Sequence, residues 1–217
     1  MNRLLLAACL LAAWTGPIHS WAAGPDVSKT LKGIQDRYNN SKTLSLHFTE
    51  TLISPGGRHK PESGTLYLRK PRQMRWEYTA PPGDLFVSDG KFTYYLIANE
   101  NKVEREKLTE GEDLRGPLAF LLGNLDFNRD FKEYRTGDAD GAITAIPKSD
   151  KLEYTEVTLV PGADFSIKKL SIKGQDGSTY QFEFDDEKRN PALPDNLFKF
   201  TPPPGAVMVD AAQGNPK

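Results

Sequence analysis

Residues 64–78 restrict the fold more than any other stretch. They read Gly-Thr-Leu-Tyr-Leu-Arg-Lys-Pro-Arg-Gln-Met-Arg-Trp-Glu-Tyr. Apolar and polar residues alternate on both sides of Lys70-Pro71. Alternation with a period of two marks a strand with one buried face, because successive side chains point to opposite sides. The spacing predicts two strands. Leu66, Leu68 and Lys70 share one face of the first. Met74, Trp76 and Tyr78 share one face of the second, with Arg75 and Glu77 opposite. One cation thus closes a row of groups that should face inward, where a charge is costly unless a partner satisfies it. The pattern predicts a greasy concave surface with a polar latch at its rim.

Upstream of these strands, Val27, Leu31, Ile34 and Tyr38 recur at helical spacing, with Asp26 placed to cap the helix. Leu44, Leu46 and Phe48 then alternate with Ser45, His47 and Thr49, which predicts a strand. Turn signals follow at regular intervals: Pro55-Gly56-Gly57, Pro81-Pro82-Gly83, Asp89-Gly90, residues 137–141, Pro161-Gly162 and Asp176-Gly177. Between them lie short β-rich runs at 84–88, 92–97, 131–135, 153–160, 165–173 and 179–185. Asp89-Gly90 between apolar runs is the clearest hairpin signal. Such a succession predicts a mostly antiparallel meander curled into a barrel or part of one. Residues 108–123 break the strand pattern: Leu114, Leu118, Leu121 and Leu122 fit one helical face. Pro117 suits a first helical turn and not an interior, so two short helices are expected there. Helices at the start and middle of a strand-rich chain predict a mainly β, α+β domain whose sheet is covered on one side.

The first 22 residues have the form of a cleaved secretory signal peptide. Met1-Asn2-Arg3 is basic, an apolar run follows, and Ser20-Trp21-Ala22 suits signal peptidase. Leu6-Ala7-Ala8-Cys9 resembles a lipidation box, but cleavage there would leave almost no apolar region before it. Residues 23–210 are expected to form one domain and 211–217 a disordered tail. Without the leader, about 195 residues remain, with no cysteine and therefore no disulfide framework. Removing Arg3 with the leader leaves 27 basic against 29 acidic residues, a net charge of −2. That balance supports neither nucleic-acid binding nor a polybasic membrane anchor.

Catalytic constellations are scarce. Beyond the leader the histidines are His47, on the polar face of a strand, and His59, in a loop rich in Gly, Arg and Lys. Both read as solvated residues, and no nucleophile–base arrangement emerges. No metal-ligand spacing is present; Asp138-Ala139-Asp140-Gly141 lacks the later ligands of a calcium loop. Gly56-Gly57 lacks the Lys-Ser/Thr of a phosphate loop. Asp185-Asp186-Glu187 reads as a solvated strand end. No catalytic residue, metal or cofactor is expected. Aromatic residues, by contrast, crowd the first half: Phe48, Tyr67, Trp76, Tyr78, Phe86, Phe92, Tyr94 and Tyr95. A half-closed sheet does not fill its concave side with its own side chains, and apolar ligand sites are built in this way.

Five segments together resemble the outer-membrane lipoprotein carrier family: Gly64-x-Leu-x-Leu-Arg-Lys-Pro71, Arg75-Trp76-Glu77-Tyr78, Val87-Ser88-Asp89-Gly90-Lys91, Pro117-Leu-x-Phe-Leu-Leu122 and Phe198-Lys-Phe-Thr-Pro-Pro-Pro-Gly-Ala-Val207. The resemblance covers nearly the whole chain after the leader. It implies an unclosed antiparallel β-barrel with a helical lid and a hydrophobic cavity. It also implies a periplasmic shuttle that takes acylated lipoproteins from an inner-membrane ABC-type release complex to an outer-membrane lipoprotein acceptor. A monomer is expected. Leu66, Leu68, Met74, Trp76 and Tyr78 would line the cavity, and Leu114, Pro117, Leu118, Leu121 and Leu122 would belong to the lid. In the family an arginine before the proline of the strand motif bonds to the lid; here Lys70 holds that position, and Arg69 should point the other way. Lysine lacks the planar fork of arginine and is the more flexible donor. Met74 stands where the family often has an aromatic residue. Two rivals share the fold class: a periplasmic lipid sensor and a carrier of free lipids. A carboxylate hydrolase is a third.

Overall fold

The computed structural model describes residues 26–108, 125–137 and 141–210. The leader, the expected lid residues (Leu114, Pro117, Leu118, Leu121 and Leu122) and the 211–217 tail lie outside the described residues.

Helix α1 spans Val27–Asn39, and the Asp26 carboxylate accepts from the Lys29 N–H at 3.2 Å. Leu31, Ile34 and Tyr38 are buried as the periodicity predicts, while Val27 is only partly buried and Thr30, which the periodicity does not pick, is buried with them. Burying each Leu or Ile contributes about 1.5–3 kcal/mol, which makes this face, rather than helix propensity, the reason the helix holds.

Among the described residues thirteen strands follow, with one short α-helix between them. They are β1 Thr43–Ser54, β2 Gly57–Arg58, β3 Glu62–Arg69, β4 Gln73–Ala80, β5 Leu85–Asp89, β6 Phe92–Ile97 and β7 Lys102–Lys107. After a four-residue helix α2 (Phe127–Asp130) come β8 Phe131–Thr136, β9 Ile143–Pro147, β10 Tyr154–Pro161, β11 Ile167–Gly174, β12 Thr179–Arg189 and β13 Val207–Asp210. They form one sheet in the order β13-β7-β6-β5-β4-β3-β1-β12-β11-β10-β9-β8, with β2 paired to β1 off this path. All neighbours are antiparallel except β13 and β7, which run parallel. The path ends at β8 and β13, so the described barrel is unclosed, as the sequence predicts.

Register assigns the faces. Leu46 lies opposite Leu66, Leu66 opposite Trp76, Trp76 opposite Phe86 and Phe86 opposite Tyr95. This row and its neighbours form the concave face. It merges with Leu31, Ile34 and Tyr38 of α1 and with Leu159, Ile167, Leu170, Phe182 and Phe184 into one hydrophobic core. The convex face has a smaller cover. Val87, Val103 and Phe198 are fully buried there, and a 3-10 turn at Asp195–Phe198 packs on β4 and β5. Arg69 takes the convex side: its guanidinium lies 4.8 Å from the centre of the Phe198 ring, pairs with Asp195 at 2.8 Å and donates to the Leu193 carbonyl. Arg75 does likewise, bonding Glu77 at 2.6 Å and the Leu197 carbonyl at 3.2 Å.

Alternation did not reveal every strand. β7 reads Lys-Val-Glu-Arg-Glu-Lys, with Val103 its single apolar residue. It is a strand because β6 and β13 supply backbone partners on both sides. The 165–173 run is also shorter than its apolar content suggests. Phe165 adopts φ +62° in the preceding turn and β11 begins at Ile167.

Candidate functional site

The concave face is built from facing aromatic residues on adjacent strands. Phe48 meets Trp76 edge-on at 4.7 Å between ring centres and Tyr78 at 5.3 Å. Trp76 also lies 6.1 Å from Phe182, which stacks on Phe184 at 5.8 Å. These geometries suit the ring quadrupoles, so the face has shape as well as oiliness. Gly64 makes the Phe48–Tyr78 contact possible. It sits on β3 between Phe48 of β1 and Tyr78 of β4, and with no side chain of its own it lets the two rings lean across and touch.

All five predicted wall residues lie on this face. Leu66, Leu68, Met74 and Trp76 are buried in the core, and Tyr78 packs against it half-buried. Phe86 and Tyr180 are likewise half-buried beside the core, and Tyr95 continues the row on β6. Burial, with Glu50 beside it, raises the Tyr78 hydroxyl well above the ordinary phenol range.

Lys70 turns inward at the end of β3. Its Nζ donates to the Tyr38 carbonyl of α1 at 2.7 Å. That carbonyl belongs to the last helical turn, where it also accepts from the Ser41 N–H at 3.2 Å and where a cation complements the helix dipole. Desolvation lowers the Lys70 pKa from the ordinary lysine value. The inward cation therefore joins the strand rim to the helix above the concave face.

A second tie was not legible in the sequence. Glu187, expected on a solvated strand end, is instead nearly buried, with its side chain 5% exposed. It accepts from Arg37 at 2.6 Å and from the Tyr38 hydroxyl at 2.7 Å. The Ile167 N–H donates to that same hydroxyl at 2.9 Å. Burial holds the Tyr38 phenol protonated, and the Glu187 charge reinforces it. β12 runs on to Arg189, so Glu187 lies inside a strand beneath α1 rather than beyond its end. Asn39 adds two further bonds at the same end of the helix, one to the Leu125 carbonyl and one from the Leu125 N–H, both at 2.8 Å. Closer to the helix middle, the Phe165 ring occupies the space a Cβ on Gly33 would take, 2.5 Å from its ideal position. Most polar ties of α1 thus gather in its last turn.

His47 is exposed on β1 beside Asp185 at 3.1 Å, and His59 bonds the Ser54 hydroxyl at 3.0 Å. Neither faces the concave side's aromatic cluster. Among the described residues no three His, Cys, Asp or Glu side chains gather as a metal site, and no helix is long and apolar enough to cross a membrane.

One titratable group on the concave side carries no signal in the residue pattern. Glu50 lies on β1 between Glu62 of β3 and Phe182 of β12. Burial, with the Glu62 charge opposite, pushes its carboxyl up to about 7 from 4.5. A carboxyl raised on folding binds its proton more tightly when native, so stability is full below the unfolded value and is lost as pH rises through the folded one. Glu50→Gln should therefore raise the melting temperature at pH 8 by about 2–4 °C and change nothing at pH 4. Thermal unfolding at the two pH values checks this; an equal shift at both would exclude titration there.

The sequence profile described as outer membrane lipoprotein carrier protein LolA matches residues 39–201. The chain belongs to the outer-membrane lipoprotein carrier family. A family member from Dechloromonas aromatica (strain RCB), named outer-membrane lipoprotein carrier protein, is 34% identical over 181 residues, spanning 81% of this chain and 85% of its own. A carrier of the same name from Chromobacterium violaceum is 28% identical over 190 residues, spanning 86% of this chain and 90% of its own. The crystal structure of an uncharacterized conserved protein from Thermus thermophilus superposes with a TM-score of 0.50 at 13% identity, covering 85% of this chain and 98% of that one. That likeness concerns the fold alone. Lys70, at the end of residues 64–70 of this family member, thus carries an ammonium that reaches α1.

Proposed function

We propose that this protein is a non-enzymatic carrier of the periplasm. Cleaved from its signal peptide, it takes acylated lipoproteins from an inner-membrane ABC-type release complex and delivers them to an outer-membrane acceptor, working as a monomer. The observation that carries this reading is the continuous aromatic concave face beneath a helix tied mainly at one end. Acyl chains would lie against Leu66, Leu68, Met74, Trp76 and Tyr78 once the cover moves. Leu114, Pro117, Leu118, Leu121 and Leu122 are proposed to complete that cover.

The energetics require such a protein to hand over cargo directly. Removing an acyl chain from water stabilises the complex by about 0.8 kcal/mol per methylene, on the order of 12 kcal/mol for one long chain. Escape into water would then be far too slow for transport. Closing bonds that break on loading raise the free energy of the loaded state and favour passing the cargo on.

Lys70 is proposed as one such bond. Its loss removes a charge-assisted hydrogen bond of about 1.5–3 kcal/mol, so Lys70→Leu should keep the fold and change transfer to the acceptor about tenfold. Transfer of a purified lipoprotein between carrier and acceptor measures this; equal rates and yields for both forms remove Lys70 from the mechanism. The function itself is tested by depleting the protein and fractionating the envelope. Lipoproteins should then accumulate in the inner membrane. Native mass spectrometry of protein purified gently from periplasm should show bound lipoprotein; free lipid alone would favour a lipid carrier or sensor.

A further inference from the structure

One cross-strand row of the concave face runs Ile143, Leu159, Leu170, Phe182, Glu50, Glu62 and ends at the first residue of β3. The first four are buried apolar side chains of the core. The row then meets two carboxyls side by side. Like charges directly opposite on neighbouring strands are destabilising, and Glu50 also lies on the same strand face as Phe48 and Leu52. The titratable groups facing it are Glu62 from β3, Tyr78 from β4, Tyr95 from β6 and Tyr180 from β12. None of these is a cation. Glu62 in turn feels Asp84 and His59. Glu187, also nearly buried, has Arg37 and Tyr38 as partners. Glu50 has no hydrogen-bond donor or ion-pair partner among the described residues.

We infer that Glu50 links apolar cargo to proton uptake: covering the concave face strips the remaining water from an uncompensated carboxyl, so the loaded carrier holds Glu50 protonated. This rests on the carrier reading above and adds a regulator to the same site. A buried carboxylate without a cation or donor is strongly disfavoured, and the group neutralises instead. Cargo and proton then bind cooperatively, and each must strengthen the other by the same factor. Because the unloaded Glu50 titrates near pH 7, the link acts in a range where modest acidification favours loading and modest alkalinity favours release.

The test uses an uncharged fluorescent probe, N-phenyl-1-naphthylamine, with the mature protein between pH 6 and 9. Its dissociation constant for the native protein should be nearly flat below pH 6.5 and about twentyfold weaker at pH 8.5. Glu50→Gln should bind with the low-pH affinity of the native protein at every pH. Glu62→Gln, which removes the like charge opposite, should keep the dependence but move its onset to lower pH. Calorimetry of native protein in two buffers of different ionisation enthalpy should show about one proton taken up per probe at pH 8. Equal pH profiles for the native protein and Glu50→Gln, or no proton uptake on binding, would overturn the linkage and leave the carrier reading standing. Failure of the probe to bind either form at any pH would overturn the carrier reading and the linkage with it.

Discussion

Gly64→Ala should destabilise the protein by about 3 kcal/mol or more, which lowers the melting temperature by roughly 6–12 °C for a domain of this size. Alanine in a strand is ordinarily the better residue by about 0.5–1 kcal/mol, because glycine loses more chain entropy on folding. Here the steric cost decides the sign. A Cβ on Gly64 would collide with the Glu77 carbonyl oxygen and come within 2.8 Å of the Glu77 carbonyl carbon and 2.9 Å of the Tyr78 Cα. These are backbone atoms and cannot rotate away. Relief requires β4 to move off β3 beside an existing irregularity in the register at Ser63/Gly64. That ladder aligns Leu66 with Trp76 and Leu68 with Met74, so the near-ultraviolet signal of Trp76 should weaken as well. Gly56→Ala is the control: its nearest neighbour is the Ser54 hydroxyl at 3.6 Å, and it should change stability by less than about 0.5 kcal/mol. A Gly64→Ala protein melting within a degree of the native one would show that the two strands yield freely.

Glu187→Ala should cost about 3 kcal/mol, toward the lower end for a buried pair that loses one partner. Arg37 keeps some compensation, since it still reaches Asp164 at 3.2 Å and the Asp164 carbonyl at 3.0 Å. The Tyr38 hydroxyl, buried below α1, loses its acceptor entirely. Glu187→Gln retains an acceptor of similar shape and should lose about half as much. Replacing both members, Arg37→Met with Glu187→Leu, should recover most of the loss, because no uncompensated charge is left behind. Urea unfolding of these forms, with Arg37→Met alone and Glu187→Leu alone added to complete the cycle, isolates the coupling. If Glu187→Ala unfolds at the native midpoint, the network does not hold the helix. A loosened α1 should also accept an apolar probe faster than the native protein does, a readout that general destabilisation of the sheet does not predict.

Much of the architecture was visible in residue patterns because two periodicities carry it. The 3.6-residue repeat of Val27, Leu31, Ile34 and Tyr38 marked α1. The two-residue repeats of Leu44, Leu46 and Phe48 and of Met74, Trp76 and Tyr78 marked β1 and β4, and that of Leu66, Leu68 and Lys70 set the inward Lys70 apart from the outward Arg69. Asp89-Gly90 marked the β5–β6 turn, where the Asp89 carboxylate accepts from the Lys91 and Phe92 N–H groups at 2.7 and 2.8 Å. β9, although its residues alternate between buried and half-buried, lay outside the expected runs, as did β7 and β13. β7 is charged nearly throughout, and β13 is an exposed strand that reaches the sheet from far along the chain. Their stability comes from ladder partners rather than from a local pattern.

Local chemistry along the chain determined the alternation of faces, the helix, the turns and the inward cation. Each of these depends on neighbours within a few positions, and steric and hydrophobic periodicity acts over that range. Long-range placement decided the rest. Glu187 became a buried anchor because β12 carries it beneath Arg37, about 150 residues earlier. Glu50 became an uncompensated carboxyl because two strands from distant parts of the chain set Glu62 on one side of it and Phe182 on the other. A carboxylate's burial and partners are properties of the space around it, and only the assembled sheet creates that space.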